Sequence, residues 1–362
     1  VESEGAITTR GTGANGIIAQ SVGGGGGLAG DVGIGPGFAG SVGGAGSGGS
    51  VSVSHVGTIT TLGAGSHGIF AQSAGGAGRG GPVRISLDGI IDTQGEGSSG
   101  IVAQSRGDAG AGDIAVVTSA SSAVSGGSGV GVGVRIDGGA GNTLANSGSI
   151  SAWSGMAILA TGGNDVVNNL GTITGSVDLG SGVNAFNNKQ GGRFNTGSRV
   201  DLGDGNTLFN DGILSPGGLG VIAHTLLDGN LSLLDDGVLE IDVGGFTPGL
   251  FDFVEITGAL SGWNPDDLGA VEFSFLPDFD LVSVLGPHQT MTLEFLTAGS
   301  IGDLAMMSCS YSSCPQGFRY DVFEDGGSLY LRASCTVPAP GALLLTSVGL
   351  GLLGLGRRRM RS

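Results

Sequence analysis

Apolar residues recur in short runs between glycine corners throughout residues 1–218. The segment 5–21 (GAITTRGTGANGIIAQS) reappears without gaps as 57–73 and as 89–105. Its starts lie 57 − 5 = 52 and 89 − 57 = 32 residues apart, and the glycine-rich stretch 23–49 accounts for the difference. Gap-free copies that tolerate an insertion at one point are typical of a solenoid, where the insertion forms a loop on one face.

Short β-prone runs broken by glycine predict a right-handed parallel β-helix, in which like side chains of successive coils stack on each other. The apolar positions that recur in the copies are predicted to point inward, namely Ile59, Ile69, Ile91 and Ile101. The amides of Gln20, Gln72 and Gln104 are predicted to form a structural ladder. A ligand-binding role for these glutamines is the alternative.

More degenerate repeats continue the pattern. The short run that opens each repeat, a glycine followed by three residues of a β-strand, recurs at residues 148–151, 171–174 and 212–215. A second run, predicted to form another face of the coil, recurs at 163–168, 182–187 and 205–210. The second set is spaced by 182 − 163 = 19 and 205 − 182 = 23 residues, close to one narrow coil. In style these repeats resemble the passenger β-helices of autotransporters over roughly residues 1–218, which implies the fold and no activity.

From about His224 glycine thins and apolar and polar residues alternate, as in VLEIDV at 238–243 and MTLEF at 291–295. Period-two alternation indicates β-strands. Residues 219–335 are therefore predicted to form a β-rich cap that covers the last coil and protects its open edge. A separate small sandwich is the alternative.

The C-terminal segment 336–362 combines three features. Val337, Pro338, Ala339 and Pro340 form an extended proline motif, and residues 341–356 are uncharged and apolar. A basic end follows with Arg357, Arg358, Arg359 and Arg361. Sixteen residues span roughly 24 Å as a helix, short of a hydrocarbon layer of about 30 Å. The pattern predicts a single C-terminal transmembrane helix with its arginines in the cytoplasm and the body outside it.

This ending resembles the PEP-CTERM sorting signal, with its VPLPA-like variants, of Gram-negative bacteria that make exopolysaccharide. The resemblance implies an exosortase, an integral-membrane protease that cleaves near the proline motif. Ala339 departs from the commonest form, which has Glu there, and so leaves the exosortase subtype open. An ordinary tail anchor and a buried hairpin helix are the alternatives. Because the chain begins at Val1 without a visible signal peptide, a mature or fragmentary N-terminus is expected.

Composition narrows the range of partners. The chain has 79 glycines among 362 residues, and apolar residues still make up 39%. Without the four terminal arginines, the body has 14 − 4 = 10 basic and 31 acidic residues, a charge of 10 − 31 = −21. Nucleic acid is excluded as an expected partner because phosphate binding needs a basic surface.

Few residues are candidates for chemistry. In an oxidising periplasm Cys309 and Cys314 are predicted to pair and to leave Cys335 unpaired, with free thiols or a metal site as alternatives. Asp165, Asp201 and Asp204 lie in acidic turns that partly match calcium-binding β-roll repeats. The complete repeat is never present in tandem, so turn-forming residues are the favoured interpretation. No cofactor and no catalytic residue is predicted.

These features predict an exported, non-catalytic surface or matrix protein that is adhesive or associated with exopolysaccharide and biofilm. Its expected partners are an exosortase and exopolysaccharide or other cell-surface molecules. It is expected to pass through the inner membrane and then to reside at the cell surface, outer envelope or extracellular matrix. The alternative is a β-helix polysaccharide lyase or hydrolase, which residues 1–218 disfavour because they hold one tryptophan, Trp153, and no tyrosine.

Overall fold

A computed structural model describes residues 1–23, 45–262, 270–286, 289–302, 309–310 and 317–335. The described residues form an all-β solenoid, in which strands of successive coils pair in parallel. The first coils contain six strands: β1 (Glu2–Thr9), β2 (Ile17–Val22), β3 (Val51–Thr61), β4 (Ile69–Ala74), β5 (Val83–Thr93) and β6 (Ile101–Arg106). β1, β3 and β5 stack on each other, and so do β2, β4 and β6.

The middle coils are built from shorter strands. These are β7 (Ile114–Thr118), β8 (Ala123–Gly126), β9 (Val134–Gly138), β10 (Gly141–Asn146), β11 (Ser149–Ala152), β12 (Met156–Ala160), β13 (Asn164–Asn169), β14 (Thr172–Asp178), β15 (Ala185–Asn188), β16 (Arg193–Asp201), β17 (Thr207–Asn210) and β18 (Ile213–Pro216). The long strand β5 pairs with both β7 and β8, so two ladders replace one from this coil onward. Together with the ladder that β9 and β12 continue from β6, they give the solenoid three faces.

The last group comprises β19 (His224–Asp228), β20 (Asn230–Leu233), β21 (Val238–Val243), β22 (Phe253–Ser261), β23 (Ala270–Phe275), the short helix α1 (Leu281–Val284), β24 (Thr290–Ile301), β25 (Cys309–Ser310), β26 (Phe318–Asp325) and β27 (Ser328–Cys335). Parallel pairing passes residue 218 through β17–β20, β18–β21 and β16–β19. The order changes at the end, where β24–β27 and β26–β27 pair antiparallel. The predicted division of the chain into domains stays a prediction.

The core runs along the inside of the coils. The four isoleucines predicted to point inward are all 0% exposed, which confirms that prediction. The register aligns Ile7, Ile59 and Ile91, as the sequence repeats predict. In narrower coils aromatic residues fill the interior, where Phe186 and Phe194 stack with ring centroids 4.5 Å apart. Burial of this apolar surface stabilises the stack by roughly 25 cal/mol per Å².

Coil size changes along the solenoid. Side-chain contacts between neighbouring coils join residues 32 positions apart at Gln72–Gln104 but only 19 apart at Asn169–Asn188. The separation returns to 29 at Asn230–Ala259. The predicted narrow coil is therefore confirmed for the middle of the solenoid.

One predicted repeat alignment is shifted by a residue. Segments 163–168 and 182–187 align as predicted, since Asn168 pairs with Asn187. In the third segment Asn210 pairs with Asn188 and not with Asn187, so the true spacing is 22 and not 23. The physical reason is that Leu208, fully buried, continues the apolar row of Phe186, whereas Phe209 is 37% exposed.

The sequence also predicts a single C-terminal transmembrane helix. Among the described residues no helix is both long and apolar enough to cross a bilayer. The predicted span, residues 341–356, lies outside them.

Candidate functional site

The predicted glutamine ladder is present in the first coils. Gln20 Nε2 donates to Gln72 Oε1 at 2.6 Å, and Gln72 donates in turn to Gln104. Gln104 Nε2 donates to Asp137 Oδ2 at 2.5 Å, and Arg106 pairs with the other oxygen of that carboxylate. Gln72, Gln104 and Asp137 are almost completely buried. Amides that satisfy one another along the axis have a structural role, because each buried polar group needs its partner.

A second polar ladder lies inside the middle coils. Its side chains are linked by hydrogen bonds of 2.7–2.8 Å, in the order Thr118, Asn146, Asn169, Asn188 and Asn210. All the asparagines in it are 0% exposed. The amides also donate to backbone carbonyls, as in Asn188 Nδ2 to the Ile213 oxygen at 3.0 Å. The sequence predicts the repeat that contains these residues, but it does not show which asparagine of each Asn-Asn pair points inward.

A third polar row contains the calcium candidate Asp165. It is formed by Asn142, Asp165, Asn184 and Asn206 on successive coils. Asn142 Nδ2 donates to Asp165 Oδ1 at 2.8 Å, and Asp165 Oδ2 is buried without a hydrogen-bond partner among the described residues. Burial raises the pKa of Asp165 to about 6, against the lowering effect of the Asn142 hydrogen bond. Asp165 thus occupies a position where neighbouring coils have asparagine.

The other calcium candidates do not join it. Asp201 lies on β16 next to inward-pointing Val200, and its carboxylate pairs with Arg199 at 2.7 Å and accepts the Gly203 N–H at 3.0 Å. Asp204 is exposed in the following turn. Within the described part of the chain, no group of three or more His, Cys, Asp or Glu residues is arranged to hold a metal ion.

Asp165→Asn is expected to stabilise the protein at neutral pH. The asparagines of this row each donate to the carbonyl four positions earlier: Asn142 to Gly138, Asn184 to Gly180 and Asn206 to Leu202. An amide at residue 165 can likewise donate to the carbonyl four positions earlier, whereas an ionised carboxylate can only accept hydrogen bonds. A folded-state pKa of about 6 against 3.8 means that the contribution of Asp165 to stability is fully present below pH 3.8 and is lost as pH rises through 6. The full loss is at most about 3 kcal/mol, since each pKa unit corresponds to about 1.4 kcal/mol and solvent screening reduces this figure.

Urea unfolding at pH 4 and pH 7 measures this effect, with exposed Asp204→Asn as the matched control. The native-minus-variant difference is compared at each pH because burial also raises the pKa values of Asp242 and Asp252. Lower stability of Asp165→Asn than of the native chain at pH 7 would contradict the expectation.

The remaining predicted residues fall largely outside the described part of the chain. Cys314 is outside it, and the side chain of Cys309 is not described. Cys335, at the end of β27, is a half-buried free thiol. The proline motif 337–340 and the arginines of 357–361 also lie outside the described residues. The predictions for these groups stay predictions.

A half-open cleft of about 680 Å³ lies near the C-terminal end of the stack. Its walls are residues 222–224, the loop 246–251 and parts of β22, β24 and β27. Four aromatic side chains line it, namely Phe246, Phe251, Phe253 and Tyr330. The volume is within the range of about 300–1,000 Å³ that is typical of small-molecule sites.

Polar groups lie at the edge of this cleft. Tyr330 Oη donates to Glu294 Oε1 at 3.4 Å, across the antiparallel pair β24–β27. His224 packs edge-on against Phe253 with centroids 5.1 Å apart, and its Nε2 lies 3.5 Å from Glu255 Oε2. The cleft therefore combines an apolar wall with two carboxylates at or beside its rim.

Two buried carboxylates hold the cleft walls in place. Asp252 lies between the cleft residues Phe251 and Phe253, and its oxygens accept the Ala223 N–H at 2.7 Å and the Asp242 N–H at 2.8 Å. Asp242 Oδ2 accepts the Gly220 N–H at 2.5 Å. Burial raises the pKa of Asp252 to about 8, although both N–H donors lower it. One side chain thus ties the 217–223 turn to the 244–252 loop.

Sequence reasoning missed this cleft. The scarcity of aromatic residues that disfavours a sugar site holds for residues 1–218, whereas the cleft is lined by residues between 222 and 330. FDF at 251–253 gives no warning of it, because apolar–polar alternation in a strand predicts an outward-pointing Asp252, whereas that residue is 0% exposed. Comparison of the sequence with protein-family models and with curated proteins finds no match.

Proposed function

We propose that the chain is an exported, non-catalytic surface or matrix protein, adhesive or associated with exopolysaccharide. The observation that carries this proposal is the continuous parallel stack from β1 to β24, with its buried amide ladders. Such a stack is a stiff, elongated scaffold that presents a repeated surface, as solenoid binding proteins do. We take its coils to be right-handed, in keeping with the strong preference of β-strand crossovers for that hand.

The proposal includes sorting through the C-terminal segment. The proline motif fixes an extended stretch accessible to a protease, the apolar run crosses the membrane as a helix, and the arginines stay in the cytoplasm. An exosortase is the proposed partner, and cleavage near Pro338 and Pro340 would release the body or attach it to the cell envelope. The proposed localisation is the inner membrane in transit and then the cell surface or matrix.

Changing both Pro338 and Pro340 to Ala is expected to leave an uncut, membrane-bound protein in an exosortase-bearing host. Changing Arg357, Arg358 and Arg359 to Glu is expected to disturb orientation and retention. Cell fractionation and intact-mass measurement of the exported protein report both effects. An ordinary tail anchor responds only to the arginine changes. If the native protein keeps residues 341–362 in every fraction, the sorting proposal is wrong.

A direct assay distinguishes a polysaccharide lyase or hydrolase from the proposed non-catalytic protein. The full chain is incubated with neutral and acidic polysaccharides, and newly formed chain ends are counted. A non-catalytic protein releases none above a heat-denatured control. Release that disappears on substitution of a single Asp, Glu or Arg would establish a lyase or hydrolase instead.

A further inference from the structure

We propose that the cleft lined by Phe246, Phe253, Glu294 and Tyr330 binds a pyranose ring, either neutral or amino-substituted, within a polysaccharide. The proposal deepens the proposed function by naming the ligand class. It rests on that function only for the source of the sugar, which would be exopolysaccharide.

The aromatic wall of the cleft favours a ligand that has an apolar face. Two lining residues, Phe251 and Leu293, are almost completely buried in the protein core. Phe246 and Phe253 are half-buried: the core holds one side of each ring, and the ring also lines the cleft. Aromatic rings offer a large, rigid apolar surface at low conformational cost. A pyranose has one face made of C–H groups that packs flat on such a ring.

The carboxylates at the rim of the cleft favour a ligand that carries hydrogen-bond donors. Glu294 lines the cleft and Glu255 lies beside it, whereas none of the described lining residues is a lysine or an arginine. Tyr330 already directs its hydroxyl to Glu294, which leaves that carboxylate with further lone pairs for a ligand. Carboxylates form strong, charge-assisted hydrogen bonds with hydroxyl or ammonium groups.

These two requirements together define the ligand. A pyranose with free hydroxyl or amino groups has both an apolar face and several donors. A uronate would place a like charge next to Glu294 in a chain whose net charge is −17. An acyl chain has no hydrogen-bond donors, so it would leave the carboxylates at the rim of the cleft without ligand contacts.

The cleft is also organised before a ligand arrives. Asp252 joins Ala223 of one wall to the loop that carries Phe246 and Phe251, and that loop is closed by a hydrogen bond of 2.7 Å from the Gly244 N–H to the Leu250 oxygen. Fixed walls reduce the ordering cost of binding. A binding site, rather than a gap between loosely packed loops, is what such anchoring produces.

Isothermal titration calorimetry of the full chain, in a polyoxyethylene detergent, tests the proposal with three probes. Cello-oligosaccharide is the neutral probe, chitosan oligosaccharide the amino probe and oligogalacturonate the acidic probe. We expect at least one of the first two to bind and the third not to bind. Glu294→Gln should weaken binding about tenfold through loss of a charge-assisted hydrogen bond, and Phe253→Ala should weaken it further.

Two control variants locate the site. Glu4→Gln changes an exposed carboxylate on the first coil and should leave binding unchanged. Trp153→Ala removes a side chain that is 74% exposed on the solenoid and is the competing aromatic platform. Loss of binding in Trp153→Ala while Phe253→Ala and Glu294→Gln bind normally would overturn the proposal.

Two further outcomes also overturn it: no binding of the neutral and amino probes at millimolar concentration, or binding of an alkylammonium ion while neither sugar binds. Because Phe253→Ala removes a half-buried ring, the decisive variant is Glu294→Gln, which keeps the shape of the side chain. The result is independent of sorting. A chain that binds sugar but keeps residues 341–362 leaves this inference intact and removes the sorting proposal, and a processed chain that binds no sugar does the reverse.

Discussion

Asn188→Ala should lower the free energy of unfolding by about 3–5 kcal/mol. The Asn188 amide is 0% exposed, accepts from Asn169 at 2.8 Å, and donates to Asn210 at 2.7 Å and to the Ile213 carbonyl at 3.0 Å. Truncation leaves the Asn210 oxygen and the Ile213 carbonyl without these donors inside the solenoid, where each unsatisfied group costs about 1–3 kcal/mol. The interruption also separates the two halves of the ladder, which polarise each other through the chain of hydrogen bonds.

The adjacent residue is the matched control. Asn187 has the same side chain on the same strand, but it points outward and makes one hydrogen bond of 3.1 Å, to Asn168. Asn187→Ala should therefore cost less than about 1 kcal/mol. Urea unfolding followed by far-ultraviolet circular dichroism compares the two midpoints. Equal losses in the two variants would show that the interior ladder contributes nothing beyond β-propensity.

Gly182→Ala should be similarly damaging, by about 4 kcal/mol. The residue has φ +138°, and a Cβ there would lie 1.7 Å from the carbonyl oxygen of Gly163 on the preceding coil. Because that neighbour is backbone, the two coils must move apart locally. Overpacking costs about 1–3 kcal/mol and the unfavourable φ adds about 1–3 kcal/mol.

Gly191 provides a comparison within the same coil. Its φ is +82°, and a Cβ there would meet no atom within 4 Å. Gly191→Ala should therefore cost only the backbone strain, about 1–2 kcal/mol. Hydrogen exchange of the amides of β13 and β15 in both variants distinguishes the effects. Faster exchange confined to Gly182→Ala is the expected result, and equal exchange in the two variants would mean that the close approach of the coils has no energetic weight.

The solenoid was predictable from sequence where its coils are nearly identical. Gap-free copies align Ile59 with Ile91 because identical residues at fixed spacing can stack only in that register. The middle coils were harder, since alignment by glycine placed Phe209 where Leu208 belongs. In a strand, a shift of one residue exchanges the inner and outer faces, and sequence similarity alone does not detect it.

The cleft was not predictable in the same way. Its residues come from β19, β22, β24 and β27 and from the loop between β21 and β22, so no local motif contains them. Parallel pairing brings His224 next to Phe253, although they are far apart in sequence. Asp252 gives no local signal either, because alternation with two phenylalanines predicts an exposed carboxylate, and its actual partners are the N–H groups of Ala223 and Asp242.

The changing coil size has a mechanical consequence for a protein held at one end and pulled at the other. Force along the axis acts on the hydrogen bonds between neighbouring coils, and a solenoid with nearest-neighbour contacts can yield one coil at a time. A released coil of 19 residues lengthens the tether by roughly 65 Å, and one of 32 residues by roughly 110 Å. The narrow middle coils, which contain the asparagine ladder, would thus extend in the shortest steps, while the wider coils near each end would release the longest and so absorb most of the stretch.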